Sequence, residues 1–127
     1  MPLVRISLQS GKSDLQKRKI ADAAHRALVE TISIPAQDRF QIITEHSAAD
    51  FIFDPHYLNI ARSQDLVIIQ ITMSAGRTLE LRKALFRRTA DLLHQEAGLR
   101  KEDVFINLVE VAKENWSFGS GEAQYAT

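Results

Sequence analysis

Three residue types in this chain could do chemistry together: a proline at position 2, an aspartate at 38 and an arginine at 77. Pro2 follows Met1 and opens Pro2-Leu3-Val4-Arg5-Ile6-Ser7-Leu8, which alternates like a strand. Methionine aminopeptidases generally remove Met before a small residue. The mature chain is then expected to begin with a secondary amine at the edge of a folded sheet. An α-amino group titrates near pH 7.7–8.0, so burial or a nearby cation can make it a neutral base at physiological pH. Asp38, in Pro35-Ala36-Gln37-Asp38-Arg39-Phe40, is placed to activate water or shuttle a proton; the plainer alternative is a loop-ending cap. Arg77, in Ala75-Gly76-Arg77-Thr78, sits where a strand hands over to a helix, and a guanidinium can grip a carboxylate with two parallel bonds. A surface pair with an acid is its alternative. Trp116 and Phe118 could wall a small pocket or be ordinary core aromatics.

The elements that must position these groups come from an internal repeat. A shift of 65 residues carries residue 2 onto residue 67 without a gap. Leu3-Val4-Arg5-Ile6-Ser7-Leu8 falls on Ile68-Ile69-Gln70-Ile71-Thr72-Met73, and Ser10-Gly11-Lys12-Ser13 on Ala75-Gly76-Arg77-Thr78. Asp38 falls on Asp103 and Phe40 on Phe105. Each copy, 2–45 and 67–111, reads strand, helix, strand. Ser13 and Thr78 are N-cap residues, with Asp14 and Glu80 in the first turns. Pro35 ends the first helix; Gly98 has the place of a left-handed C-terminal glycine. Strands are predicted at Phe40–Glu45 and Val104–Val111. Between the copies, Phe51-Ile52-Phe53 followed by Asp54-Pro55 predicts a short strand or hairpin and then a loop.

Two such units predict an α/β (α+β) fold: one four-stranded sheet with both helices on one face, since crossovers are right-handed. If the strands of a unit are parallel, the start of the second strand lies beside the start of the first, which brings Asp38 to Pro2. One strand parity carries Val4, Ile6, Leu8, Ile69, Ile71 and Met73; the other carries Leu3, Arg5, Ser7, Ile68, Gln70 and Thr72. The second, half-apolar face wants a partner, so a homo-oligomer with sheets packed inward is expected.

Length and composition set bounds. The 127 residues suit one domain. Lys plus Arg and Asp plus Glu are 16 each, which argues against nucleic acid or an anionic membrane as partner. There is no cysteine, hence no disulfide, thiolate nucleophile or Cys-ligated zinc. His25, His46, His56 and His94 lack metal-like spacing, and no metal or other cofactor is expected. Nothing reads as a signal peptide or membrane span, so a cytoplasmic protein is expected.

Taken together, these residues resemble the tautomerase superfamily, and within it the malonate semialdehyde decarboxylase group. The segments that carry the resemblance are Asp22-Ala23-Ala24-His25-Arg26-Ala27-Leu28-Val29-Glu30, Pro35-Ala36-Gln37-Asp38-Arg39-Phe40-Gln41 and Asn115-Trp116-Ser117-Phe118-Gly119. It runs nearly end to end and implies a single tautomerase-like domain over residues 1–127. It further implies a catalytic proline at Pro2, an acidic residue working with water at Asp38, a carboxylate-binding arginine at Arg77, and pocket aromatics at Trp116 and Phe118. It implies a homotrimer with sites near subunit boundaries. The decarboxylase pattern has a second arginine two positions earlier, where this chain has Ala75. The expected function is that of a cofactor-free enzyme on a small carboxylic oxo acid. The reaction is keto–enol tautomerisation (an isomerase) or decarboxylation of the malonate-semialdehyde type (a lyase). The alternative from another class is a non-catalytic oligomer that binds small molecules on the same fold.

Overall fold

The computed structural model describes residues 1–126. The main elements in order are β1 (Leu3–Gln9), α1 (Asp14–Ile32), β2 (Gln41–His46), β3 (Val67–Ser74), α2 (Leu79–Ala97) and β4 (Val104–Val111). They form one sheet in the order β2-β1-β3-β4. β1 runs parallel to β2, β3 parallel to β4, and the central pair β1 and β3 antiparallel. This is the expected four-stranded sheet with two helices on one face, and the antiparallel central pair makes it mixed.

Local chemistry explains where the helices begin and end. The Gln16 amide donates to Ser13 Oγ at 3.1 Å and the Leu81 amide to Thr78 Oγ1 at 3.2 Å, so each N-cap satisfies one orphan donor. Gly98 takes φ 70°, its N–H reaching His94 O while the Leu99 N–H reaches Leu93 O, a left-handed glycine ending. In α1 the left-handed residue is Ser33, φ 57°. The helix therefore stops at Ile32, three residues before Pro35, and the proline reinforces an end already made.

The core fills the space between helices and sheet. Val4, Ile6, Leu8, Ile69, Ile71 and Met73 turn toward the helices and are buried with Ile20, Leu28, Leu85, Leu92 and Leu93. This is the strand parity anticipated from alternation. On the other face Ile42, Phe105 and Val109 stay exposed, with Arg5, Gln70 and Asn107 between them.

The segment between the copies departs from expectation. Residues 51–53 form neither strand nor hairpin. A 3₁₀ turn at Ala48–Asp50 precedes them, with Ser47 Oγ donating to the Asp50 carboxylate at 3.1 Å. The His56 amide donates to Asp54 at 3.0 Å. Asp54 thus offers the backbone a local bond that competes with a ladder. Phe51 alone is buried, 5.8 Å from the His46 ring, whereas Ile52 is 91% exposed. β2 also starts one residue late, at Gln41, although Phe40 O still accepts the Val4 amide at 3.0 Å. Among the described residues no helix is long and apolar enough to cross a membrane.

Candidate active site

Strand directions bring the chemistry-bearing residues to one end of the sheet. β1 and β2 are parallel, with Val4 opposite Gln41, so the loop that holds Asp38 lies beside the chain start. β3 is antiparallel to β1, with Leu3 opposite Thr72, so its C-terminal end, Ser74, lies there too. β4 follows β3, and Ala75 N–H bonds to Val111 O at 2.8 Å. The chain then makes a 3₁₀ turn, Lys113–Asn115, and delivers Trp116 to the same end.

The amino terminus enters a cleft of about 480 Å³ lined by Met1, Ser74, Arg77, Lys113, Gln124 and Tyr125. Met1 N lies 3.8 Å from Asp38 Oδ2. Burial holds this amine below the usual α-amino value; Arg77 pushes the same way and Asp38 opposes. With Met1 attached, the Pro2 nitrogen is an amide and has no basicity. Pro2 itself is buried, and its ring faces a smaller apolar hollow with Leu3, Phe40, Trp116 and Phe118.

Asp38 is buried, and among the described residues its Oδ1 has no hydrogen-bond partner. Its backbone is fixed by a turn, Asp38 N–H to Pro35 O at 3.0 Å. An unpartnered buried carboxylate oxygen costs stability. The repeat-equivalent Asp103 is the contrast: fully buried, it accepts from Ser63 N–H and Ser63 Oγ, both at 2.6 Å. Asp103 is a structural cap.

The cations divide the same way. Arg77 Nη1 donates to Ser74 O at 2.9 Å, and no acidic side chain pairs with Arg77 among the described residues. Its repeat mate Lys12 is tied to Asp65 at 2.8 Å, at the far end of the sheet. The antiparallel join between the two units thus makes two unlike ends. Among the described residues, one carries the amine, the carboxylate with a free Oδ1 and the unpaired guanidinium; the other has its aspartate hydrogen-bonded by Ser63 and its lysine paired with Asp65.

The aromatic wall is continuous. Trp116 stacks on Phe118, centroids 5.4 Å apart, and Phe118 meets Tyr125 edge-on at 4.9 Å. Trp116 Nε1 donates to Ser74 Oγ at 3.0 Å. Gln124 folds the tail back, accepting from the Phe118 amide at 3.0 Å and donating to Gly119 O at 2.9 Å. Pro2, Asp38, Arg77, Trp116 and Phe118 are therefore all brought to this end. Ser74, Lys113, Gln124 and Tyr125 were not anticipated. The strand pairing could have flagged Ser74, opposite the chain start, and Lys113, just past β4; the tail fold leaves no periodic signal. No group of three or more His, Cys, Asp or Glu is placed to hold a metal among the described residues.

Residues 38–119 match a family model described as "Tautomerase enzyme", and residues 2–60 match a second model of the same description. The chain is 43% identical over 124 residues to the probable tautomerase YusQ of Bacillus subtilis (strain 168), covering 98% of both chains. It belongs to the tautomerase family. A second B. subtilis protein, the probable tautomerase YrdN, is 36% identical over 127 residues, all of this chain and 98% of that one. Among solved structures, FG41 malonate semialdehyde decarboxylase inhibited by 3-bromopropiolate superposes with TM-score 0.91 at 46% identity, covering 97% of this tautomerase and 93% of that chain. Another malonate semialdehyde decarboxylase, solved as wild type, as a proline-to-alanine mutant of its first residue and in inactivated form, gives TM-score 0.92 at 29% identity over 97% and 95% of the two chains. The chain is thus a tautomerase-type enzyme.

Proposed function

We propose that this tautomerase moves a proton within a small oxo acid, using as base the Pro2 nitrogen exposed by loss of Met1. The observation that carries the reading is the amino terminus in a cleft between a buried carboxylate and an unpaired guanidinium. Burial and Arg77 both favour the neutral form of the Met1 amine now in that place, and a Pro2 amine exposed beside it would meet the same influences. Arg77 holds the substrate carboxylate. The neutral Pro2 nitrogen takes a proton from the carbon beside the carbonyl, and the C–H electron pair becomes the C=C bond. Negative charge moves to the carbonyl oxygen, where Arg77 steadies it; the protonated Pro2 then returns its proton to that oxygen. Asp38 assists the transfer or orients water, and Trp116 and Phe118 keep solvent off the reacting atoms.

A second reading is decarboxylation or hydration of a three-carbon acid, supported by the similarity to the decarboxylases and by Asp38, which favours a cationic amine. There Pro2 stays protonated, or forms an iminium, and draws the electron pair as carbon dioxide leaves. Ala75 replaces one arginine of that group, which weakens the hold on a β-oxo acid. The two readings need opposite protonation states of one nitrogen. The same proposal includes a homotrimer whose uncovered sheet faces, with Ile42, Phe105 and Val109, pack inward.

The test begins with intact mass of untagged protein, expected to lack Met1. Incubation with 3-bromopropiolate and peptide mapping should then place an adduct on Pro2, and ketonisation of phenylpyruvate enol should be lost in the labelled protein. A chain that keeps Met1 and remains fully active would remove Pro2 from the mechanism. Turnover of malonate semialdehyde with none of the enol would select the second reading.

A further inference from the structure

We propose that Ser74 donates its hydroxyl proton to an anionic oxygen of the bound acid, and that the Trp116 indole N–H aims it. The inference deepens the proposed chemistry and rests on an oxo acid occupying this cleft. Ser74 ends β3 on the strand parity of Gln70 and Thr72, the face without helices, where its side chain should be open to solvent. It is instead 4% exposed. The chain returning from β4 lays Trp116 against it, and the indole N–H donates to Ser74 Oγ at 3.0 Å.

A serine hydroxyl has one proton and two lone pairs. The indole occupies one lone pair, and no acceptor takes the Ser74 proton among the described residues. Buried donors are rarely left without a partner. The residue lines the cleft with Met1 and Arg77, and its own carbonyl accepts Arg77 Nη1 at 2.9 Å. One residue therefore fixes the guanidinium through its backbone and presents an O–H beside it. An oxygen that reaches the other guanidinium N–H groups meets that hydroxyl as well. A donor feeding into Oγ also polarises the O–H and strengthens the bond it makes. The partner must be an acceptor, and beside Arg77 an anionic one. A carboxylate or enolate oxygen meets both conditions.

Trp116 is the only tryptophan, so its emission reads this site directly. Pyruvate, a small 2-oxo acid, is titrated into mature wild type, Ser74→Ala and Ser74→Thr, each checked for native circular dichroism. The expected result is affinity about tenfold weaker in Ser74→Ala, the worth of one hydrogen bond to a charged acceptor, recovered to within about threefold by threonine. Catalytic constants for enol ketonisation should fall in Trp116→Phe, and the double variant with Ser74→Ala should be no worse than Ser74→Ala alone. Equal pyruvate affinity in wild type and Ser74→Ala overturns the inference, even if the emission maximum moves; so does a wild type that gives no pyruvate response. Additive losses in the double variant overturn the aiming role. Pro2 labelling is read separately. Labelling with serine-independent affinity sinks this inference alone, whereas serine-dependent affinity without labelling sinks only the proline chemistry.

Discussion

Removing the carboxylate of Asp38 and of Asp103 should have opposite consequences, although the repeat makes them equivalents. Asp103→Ala deletes two charge-assisted bonds of 2.6 Å and strands the half-buried Ser63 amide. At about 1.5–3 kcal/mol for each bond to a charged group, the loss should be about 3 kcal/mol or more. Asp38→Ala deletes no side-chain hydrogen bond among the described residues. Among the described residues its one ion pair is with the Met1 amine at 3.8 Å, a partly exposed pair worth about 0–1 kcal/mol. Against that stands relief of the unpartnered Oδ1, worth about 1–3 kcal/mol. Asp38→Ala should therefore sit within about 1 kcal/mol of wild type, or above it, while losing at least about 10²-fold in kcat. Urea unfolding followed by circular dichroism, at fixed protomer concentration, measures the first quantity and enol ketonisation the second. If Asp38→Ala destabilised as much as Asp103→Ala while keeping its turnover, Asp38 would be one more cap and the reasoning would fail.

Other consequences can be checked in the same protein. Pro2→Ala should lower kcat by about 10²–10⁴-fold with the fold intact, read by the same ketonisation assay. Arg77→Ala should raise the pyruvate dissociation constant about 10- to 100-fold, the loss of a charge-assisted bond, and lysine should restore part of it. If Pro2 is the base, kcat/KM should rise with pH through an amine pKa below the ordinary α-amino value and fall when the nitrogen is protonated. Asp38 raises the pKa of the Met1 amine, and a Pro2 amine beside the same carboxylate would feel the same pull, so Asp38→Asn should move the acidic limb of any residual activity to lower pH; a shift to higher pH would refute the assignment. Thr78→Ala should cost about 1 kcal/mol in urea unfolding through loss of the α2 cap.

The fold was largely legible because its determinants are local. Ser13 and Thr78 cap their own helices, Gly98 supplies a left-handed turn, and the alternation Val4-Ile6-Leu8 declares the buried face whatever lies above it. The region after β2 was misread because Phe51-Ile52-Phe53 has strand composition. Ser47 and Asp50 instead bond each other, Asp54 accepts from the His56 amide, and a single ring finds the core.

For the site, residue type and loop position pointed to Pro2, Asp38 and Arg77, and sequence alone determined which chemical groups the chain owns. It could not separate Asp38 from Asp103 or Arg77 from Lys12, since each pair occupies the same place in its repeat. The antiparallel pairing of β1 with β3 separates them. It sends one aspartate to Ser63 and one lysine to Asp65, and leaves the other two charged groups facing a terminal amine. The tail then seats Trp116 on Ser74. Such contacts join residues tens of positions apart, so no window of sequence contains them. Charge neutralisation and burial are properties of neighbours in space, and those neighbours exist only once the sheet has formed.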